Sequence, residues 1–222
     1  RMYGAGNEAD VDNVNIIISG CSSGSEAEIE YVYGGSYNAN VEHDVTLTIR
    51  AGNFKNIYGG NDRTGSIGGN ITVNIEETDN CMPITIQNLL GGGYQAPYPG
   101  KKRDGTEITT PGKITVNVKS ATRIDNIYGG SFKADVNGDT EVNINMTKGY
   151  WAGKEYLGEA IEDKVGTIGN VFGGGNEGFV YSATGTKDNS DGYYKKTDTK
   201  LSEDCIVRIE PACKVTDEGG VT

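Results

Sequence analysis

Phe54-Lys55-Asn56-Ile57-Tyr58-Gly59-Gly60, followed by Ile71-Thr72-Val73-Asn74-Ile75, decides the architecture of this chain because both halves return along it. The first half recurs as Val32-Tyr33-Gly34-Gly35, Leu89-Leu90-Gly91-Gly92, Ile127-Tyr128-Gly129-Gly130 and Val171-Phe172-Gly173-Gly174, with Met2-Tyr3-Gly4 as a worn first copy. Three residues ahead of each apolar lead stands another apolar residue: Ile29, Phe54, Ile86, Ile124 or Ile168. Asn56, Asn88, Asn126 and Asn170 stand immediately before four of the leads. Internal repetition at 20 to 50 residues is the signature of stacked structural units.

The second half alternates with the first. Val45-Thr-Leu47-Thr-Ile49, Ile114-Thr-Val116-Asn-Val118 and Thr140-Glu-Val142-Asn-Ile144 repeat its pattern, and Val14 to Ile18 and Cys205 to Ile209 belong to the same series. Period-two alternation of β-branched residues marks half-buried strands, with Thr, Asn, Glu and Arg facing outward. From Tyr33 to Tyr58 the step is 25 residues, and the later steps are 32, 38 and 44. At about 3.3 Å per strand residue, the shortest unit circles a narrow core once. Each unit leaves strand edges open, and the next unit covers them.

These observations predict an all-β fold, a parallel β-helix of five to six coils with loop insertions, spanning residues 1–222 as one domain. The chain reads as a fragment or mature segment of a longer protein. The Gly-Gly pairs are expected to enter positive φ and turn the chain sharply. The aligned Asn residues are expected at a corner, their amides bonded along the stack as a ladder. Other repeat architectures fit less well. A kelch propeller needs a period near 50, and RTX calcium repeats need nine-residue steps.

The Ile-x-x-Ile-Tyr-Gly-Gly landmark with its alternating Val/Ile strand resembles repetitive bacterial cell-surface proteins of the right-handed, pectate-lyase-like β-helix type. That resemblance implies right-handedness and an extracellular or cell-surface location. It is less specific for function, since that superfamily includes lyases, hydrolases and adhesins.

Charge narrows the partners. With 31 acidic against 20 basic residues the formal charge is −11, which repels phosphate backbones and anionic headgroups. No nucleic acid and no membrane insertion by this segment are expected, the latter because no apolar run reaches about 18 residues. A glycan or a protein at the cell surface is the expected partner. Cys21, Cys81, Cys205 and Cys213 form no CxxC pair; Cys205 and Cys213 are spaced for a local disulfide, and buried free thiols are the alternative.

Three insertions interrupt the repeat: Tyr94 to Gly112, Thr147 to Val165, and Phe179 to Asp204. Insertions on a rigid repeat scaffold escape its packing constraint and commonly carry binding. Their aromatics, Tyr98, Tyr150, Trp151, Tyr156, Tyr193 and Tyr194, are the candidate ligand-binding residues, able to stack on sugars or anchor a protein, or to pack back on the scaffold. Tyr156 to Ile161 is expected to form a turn or two of helix.

Asp135, Asn137 and Asp139 place oxygen donors at alternate positions, which suits a hard cation such as calcium; a solvated Asn-Gly turn is the competing reading. No other cofactor is implied. The catalytic patterns of polysaccharide-cleaving β-helices are missing: there is no Gly-His-Gly, Arg123-Ile124-Asp125 departs from Arg-Ile-Lys, and no Asp-Asp pair occurs. A non-catalytic interaction or adhesion module is therefore expected. A glycan-active enzyme and a structural spacer are the alternatives.

Overall fold

The computed structural model describes residues 1–20, 28–78, 81–102, 104–109, 111–146, 154–156, 159–161, 166–181, 186–187, 194–195 and 205–209. Its eighteen strands in chain order are β1 (Met2–Tyr3), β2 (Val14–Ile18), β3 (Glu28–Tyr33), β4 (Val45–Ile49), β5 (Gly52–Tyr58), β6 (Ile71–Glu76), β7 (Ile84–Leu90), β8 (Ile114–Ser120), β9 (Arg123–Tyr128), β10 (Val136–Asn137), β11 (Thr140–Ile144), β12 (Lys154–Tyr156), β13 (Glu159–Ile161), β14 (Thr167–Phe172), β15 (Val180–Tyr181), β16 (Thr186–Lys187), β17 (Tyr194–Lys195) and β18 (Cys205–Ile209). Two six-stranded sheets dominate. The first runs β1-β3-β5-β7-β9-β14, and the second runs β2-β4-β6-β8-β11-β18. All pairings in both are parallel. The chain thus visits the two sheets in turn, and each return adds a strand to the same growing edge.

The alternating segments form the second sheet in strict register: Val45 pairs with Ile71, Leu47 with Val73 and Ile49 with Ile75. Ile114, Val116 and Val118 continue those rows. All nine of these side chains are buried in one continuous apolar core, while Thr72, Asn74, Thr115 and Asn117 face out. Like residues stack on like residues, so one pattern of inward packing serves every circuit.

The first sheet breaks the two-residue period, with a physical reason. Phe54 and Ile57 both enter the core although they are three apart. Pairing between β3 and β5 runs Ile29↔Phe54, skips a residue, then resumes at Tyr31↔Asn56, and the same skip recurs in β7, β9 and β14. This irregularity bends each strand and places an Asn outward at the bend. The expected ladder is present: Asn88 Nδ2 donates to Asn56 Oδ1 at 3.0 Å, Asn126 to Asn88 at 3.0 Å, and Asn170 to Asn126 at 2.9 Å. A second ladder joins Asn117 to Asn74 at 2.9 Å and Asn143 to Asn117 at 3.1 Å on the second sheet.

A third, narrow parallel column was not foreseen. Val11, Val41 and Ile67 bridge one another, as do Tyr98, Val136 and Val180. Ile67 N–H donates to Pro99 O at 2.8 Å, linking the two runs. Each contributes one apolar side chain per circuit to the main core.

The landmark glycines require correction. None of the positive-φ glycines (Gly52, Gly65, Gly100, Gly105 and Gly138) belongs to a Gly-Gly pair. The first glycine of each of the first four pairs is instead demanded by close approach. A Cβ on Gly34 would lie 2.2 Å from Gly59 O, one on Gly59 2.2 Å from Gly91 O, and one on Gly91 2.4 Å from Gly129 O. The backbones of successive circuits touch at this corner, and no side chain fits between them.

Two further expectations change. The segment read as helix contributes β12 and β13, an antiparallel pair; Gly158 at its middle costs a helix about 1 kcal/mol relative to Ala. Cys205 is a free, exposed thiol, so it forms no disulfide with Cys213. Cys81 is disulfide-bonded. Among the described residues no helix is long and apolar enough to cross a membrane.

Candidate functional site

Tyr98 is the one aromatic ligand candidate whose side chain is described, and it does not lie on an exposed loop. It is 3% exposed and fills the core slot that Val136 and Ile67 fill in other circuits. Its hydroxyl donates to Gly69 O at 2.7 Å, and burial pushes its phenol pKa up. A phenol in this slot packs; it presents no ring face to a ligand. The insertion after Gly92 therefore leaves the scaffold only beyond Tyr98. Tyr156 and Tyr194 lie in β12 and β17, with side chains outside the described residues; Tyr150, Trp151 and Tyr193 lie wholly outside them.

The outgrowth that follows Tyr98 folds against the scaffold. Lys101 bridges backbone to Glu107 in antiparallel fashion, and their side chains pair at 2.8 Å. Lys102 Nζ reaches Glu42, sixty residues earlier. Gly105, at φ +85°, makes the turn.

The Asp135-Asn137-Asp139 segment flanks the third column. Asp135 Oδ1 accepts from the Phe179 N–H at 3.1 Å, as Asp10 Oδ1 accepts from the Asn40 N–H at 2.8 Å four circuits earlier. Asp135 O accepts from Tyr98 N–H, and Asn137 N–H returns a bond to Tyr98 O at 2.7 Å. The acids here tie one circuit to the next. Among the described residues no three His, Cys, Asp or Glu side chains converge to hold a metal ion.

The aromatic side chains of the landmark form an organised flank. Tyr58 follows the inward Ile57 and so faces out, and the rings of Tyr3, Tyr33 and Tyr58 stack at 4.9 and 5.0 Å with interplanar angles of 8° and 11°. Tyr128 and Phe172 stack likewise at 4.9 Å. A neighbouring column from the residues just past the Gly-Gly pairs covers them: Tyr37 meets Tyr3 edge-on at 5.8 Å, and Tyr94 meets Tyr58 at 5.6 Å. Stacking along the axis consumes the ring faces, while their edges lie on the flank. Burial pushes the Tyr33 and Tyr58 phenols up in pKa, holding them neutral.

Comparison with known proteins finds no family model, no curated protein and no solved structure that matches this chain.

His43, the single histidine, pairs through Nδ1 with Asp12 Oδ1 at 2.9 Å in full solvent view, and its neighbour Asp44 accepts from the Asn70 N–H at 2.7 Å. On the second sheet two carboxylates have lowered pKa values: Glu141 is held by Lys113 and Arg208, and Glu76, against its own burial, by Lys119 and Arg50. These are ion-pair clusters on the outward face of the second sheet.

Proposed function

We propose that this chain is a right-handed parallel β-helix serving as a non-catalytic, surface-displayed interaction or adhesion module, with a glycan or protein as its partner. One observation carries the reading. The outgrowth after Tyr98 departs from the parallel column in which Tyr98 pairs with Val136 and Val136 with Val180, and the third insertion of the sequence begins where β15 joins that column at Val180. In the circuits of Val41 and Val136 the chain passes directly to the second sheet at Val45 and Thr140. The departures therefore share one side of the stack, two circuits apart, while core, glycine column and Asn ladders serve the scaffold. A rigid array that presents its variable segments on one side is the usual layout of repeat binding proteins.

The test is a glycan array read with the intact protein and with residues 100–112 replaced by a short connection like that after Val136. Binding that disappears on shortening, with the melting transition retained, supports the module. Release of unsaturated or reducing ends from plant, mucin or microbial polysaccharides sinks the non-catalytic reading.

A further inference from the structure

The outer aromatic column is interrupted at Asp62. Counting two residues past the five Gly-Gly pairs gives Tyr37, Asp62, Tyr94, Phe132 and Asn176, so a carboxylate occupies a position given to a ring in three of the five copies. Asp62 is 0% exposed, and its Oδ2 accepts from the Tyr3 hydroxyl at 2.8 Å. Its Oδ1 accepts no hydrogen bond at all. A buried charge of this kind is costly unless a cation meets it in good geometry.

Two cations approach without closing. Arg63 Nε lies 3.5 Å from Oδ1 and itself lacks a hydrogen-bond acceptor. Its guanidinium is committed elsewhere, to Gln95 Oε1 at 2.5 Å and over the Tyr94 ring at 5.8 Å. Arg1 Nη1 stands 3.7 Å from Oδ2, with its guanidinium over the Tyr31 ring at 5.1 Å. Tyr31 stacks on Tyr33 at 6.4 Å, and Tyr33 on Tyr3 at 4.9 Å. The Arg1 side chain is 48% exposed, so it lies in the mouth of this arrangement. An arginine built to neutralise Asp62 would form a two-bond fork with it. Neither does.

We infer that Asp62 and the rings of Tyr3 and Tyr31 form a cradle for a guanidinium or primary ammonium group of a basic polypeptide, with Arg1 as its internal stand-in. A carboxylate set beside aromatic rings recognises cations through charge and the ring quadrupole together. The net charge of −11 draws a basic partner toward the surface. The partner's cation enters where Arg1 lies and donates to the Asp62 carboxylate, whose Oδ1 accepts no hydrogen bond. This rests on the reading of the chain as an interaction module and names one partner class for it, at a site separate from the outgrowths.

The experiment titrates the intact protein with acetyl-arginine amide and with an arginine-bearing peptide, followed by NMR shifts of the Tyr3 and Tyr31 rings. Arg1→Ala removes an internal competitor of millimolar effective concentration, so apparent affinity rises about tenfold. Asp62→Asn in that background lowers it at least about tenfold, as loss of a charged partner at a desolvated site demands. Tyr31→Leu, which leaves the buried carboxylate untouched, lowers it several-fold and covers the case in which Asp62→Asn fails to fold. Equal affinities across wild type, Arg1→Ala and Tyr31→Leu overturn the inference, as does binding of the free amide without binding of the peptide. Shortening residues 100–112 leaves the arginine titration unchanged, so this site and the outgrowth reading fail separately.

Discussion

Asn88 donates its side-chain amide to Asn56 at 3.0 Å and accepts the amide of Asn126 at 3.0 Å, which makes it an interior rung of a ladder running along the stack. Each amide in such a column is donor to one neighbour and acceptor from the other, so interior and terminal rungs differ in what they lose on substitution.

Asn88→Ala removes two bonds, and Asn170→Ala, at the described end, removes one. At about 1 kcal/mol per neutral hydrogen bond, the interior change costs about 2 kcal/mol and the end change about half that. Urea midpoints at constant m-value measure the difference. Equal shifts would show that the ladder adds nothing beyond local solvation.

The glycine corner gives a sharper contrast. Gly91→Ala drives a Cβ to within 2.4 Å of Gly129 O and 2.5 Å of Ile114 Cγ2, and overpacking of this kind costs about 1–3 kcal/mol. Gly20→Ala meets nothing within 4 Å and has an ordinary φ, so it stays within about 0.5 kcal/mol of wild type. Thermal melts of the two variants decide whether close approach is the reason for the glycine.

Tyr98→Phe keeps the ring and deletes only the hydroxyl bonded to Gly69 O, leaving a carbonyl short of a partner at a cost of about 1–3 kcal/mol. Glycan and peptide titrations are expected to be unchanged in this variant. A selective loss of ligand with stability intact would return Tyr98 to the list of binding residues.

Acid sensitivity follows from Glu141. The Lys113 bond, opposed by partial burial and joined by Arg208 at 3.2 Å, holds its pKa below the ordinary glutamate value. A carboxylate depressed in the folded state adds stability that is complete above its unfolded pKa, about 4.3, and is lost as pH falls through the lower folded value. Glu141→Gln is therefore less stable than wild type at neutral pH, and the gap narrows once pH falls below about 4.3 and closes through the lower folded value. Chemical denaturation at stepped pH reads the convergence; parallel curves at every pH would remove Glu141 from the acid response.

Calcium addresses the Asp135–Asp139 segment. A site that binds the folded state alone raises stability by about 2.7 kcal/mol at a hundredfold excess over its dissociation constant. With Asp135 Oδ1 already accepting from Phe179, the expected melting midpoint is unchanged by calcium, and a rise that Asp139→Asn abolishes would establish a site.

The strands, their parallel stacking partners and the Asn ladder were legible because each repeats a pattern over several residues. The third column was not. Val41, Val136 and Val180 each stand six residues past the second glycine, but one apolar residue per circuit carries no alternation of its own. That spacing also hid Tyr98, whose bulk and proline neighbours suggested a loop. The glycines were assigned to the right corner for the wrong reason, since a glycine needed for its φ and one needed for its missing Cβ read alike in a sequence. The Asp62 cradle was illegible because Arg1, Tyr31 and Asp62 meet only after the circuits stack.

The glycine column also sets a grammar for editing the molecule. Because Gly34 and Gly59 occupy the same corner with the same neighbour above, excising residues 35–59 joins Gly34 to Gly60 and restores a Gly-Gly pair. Every remaining seam then meets a surface of the kind it met before. Cuts that are not a whole circuit long leave a carbonyl facing a side chain. Length is therefore adjustable in whole turns, and the spacing of whatever the outgrowths carry is quantised by the rise of one strand, about 4.8 Å.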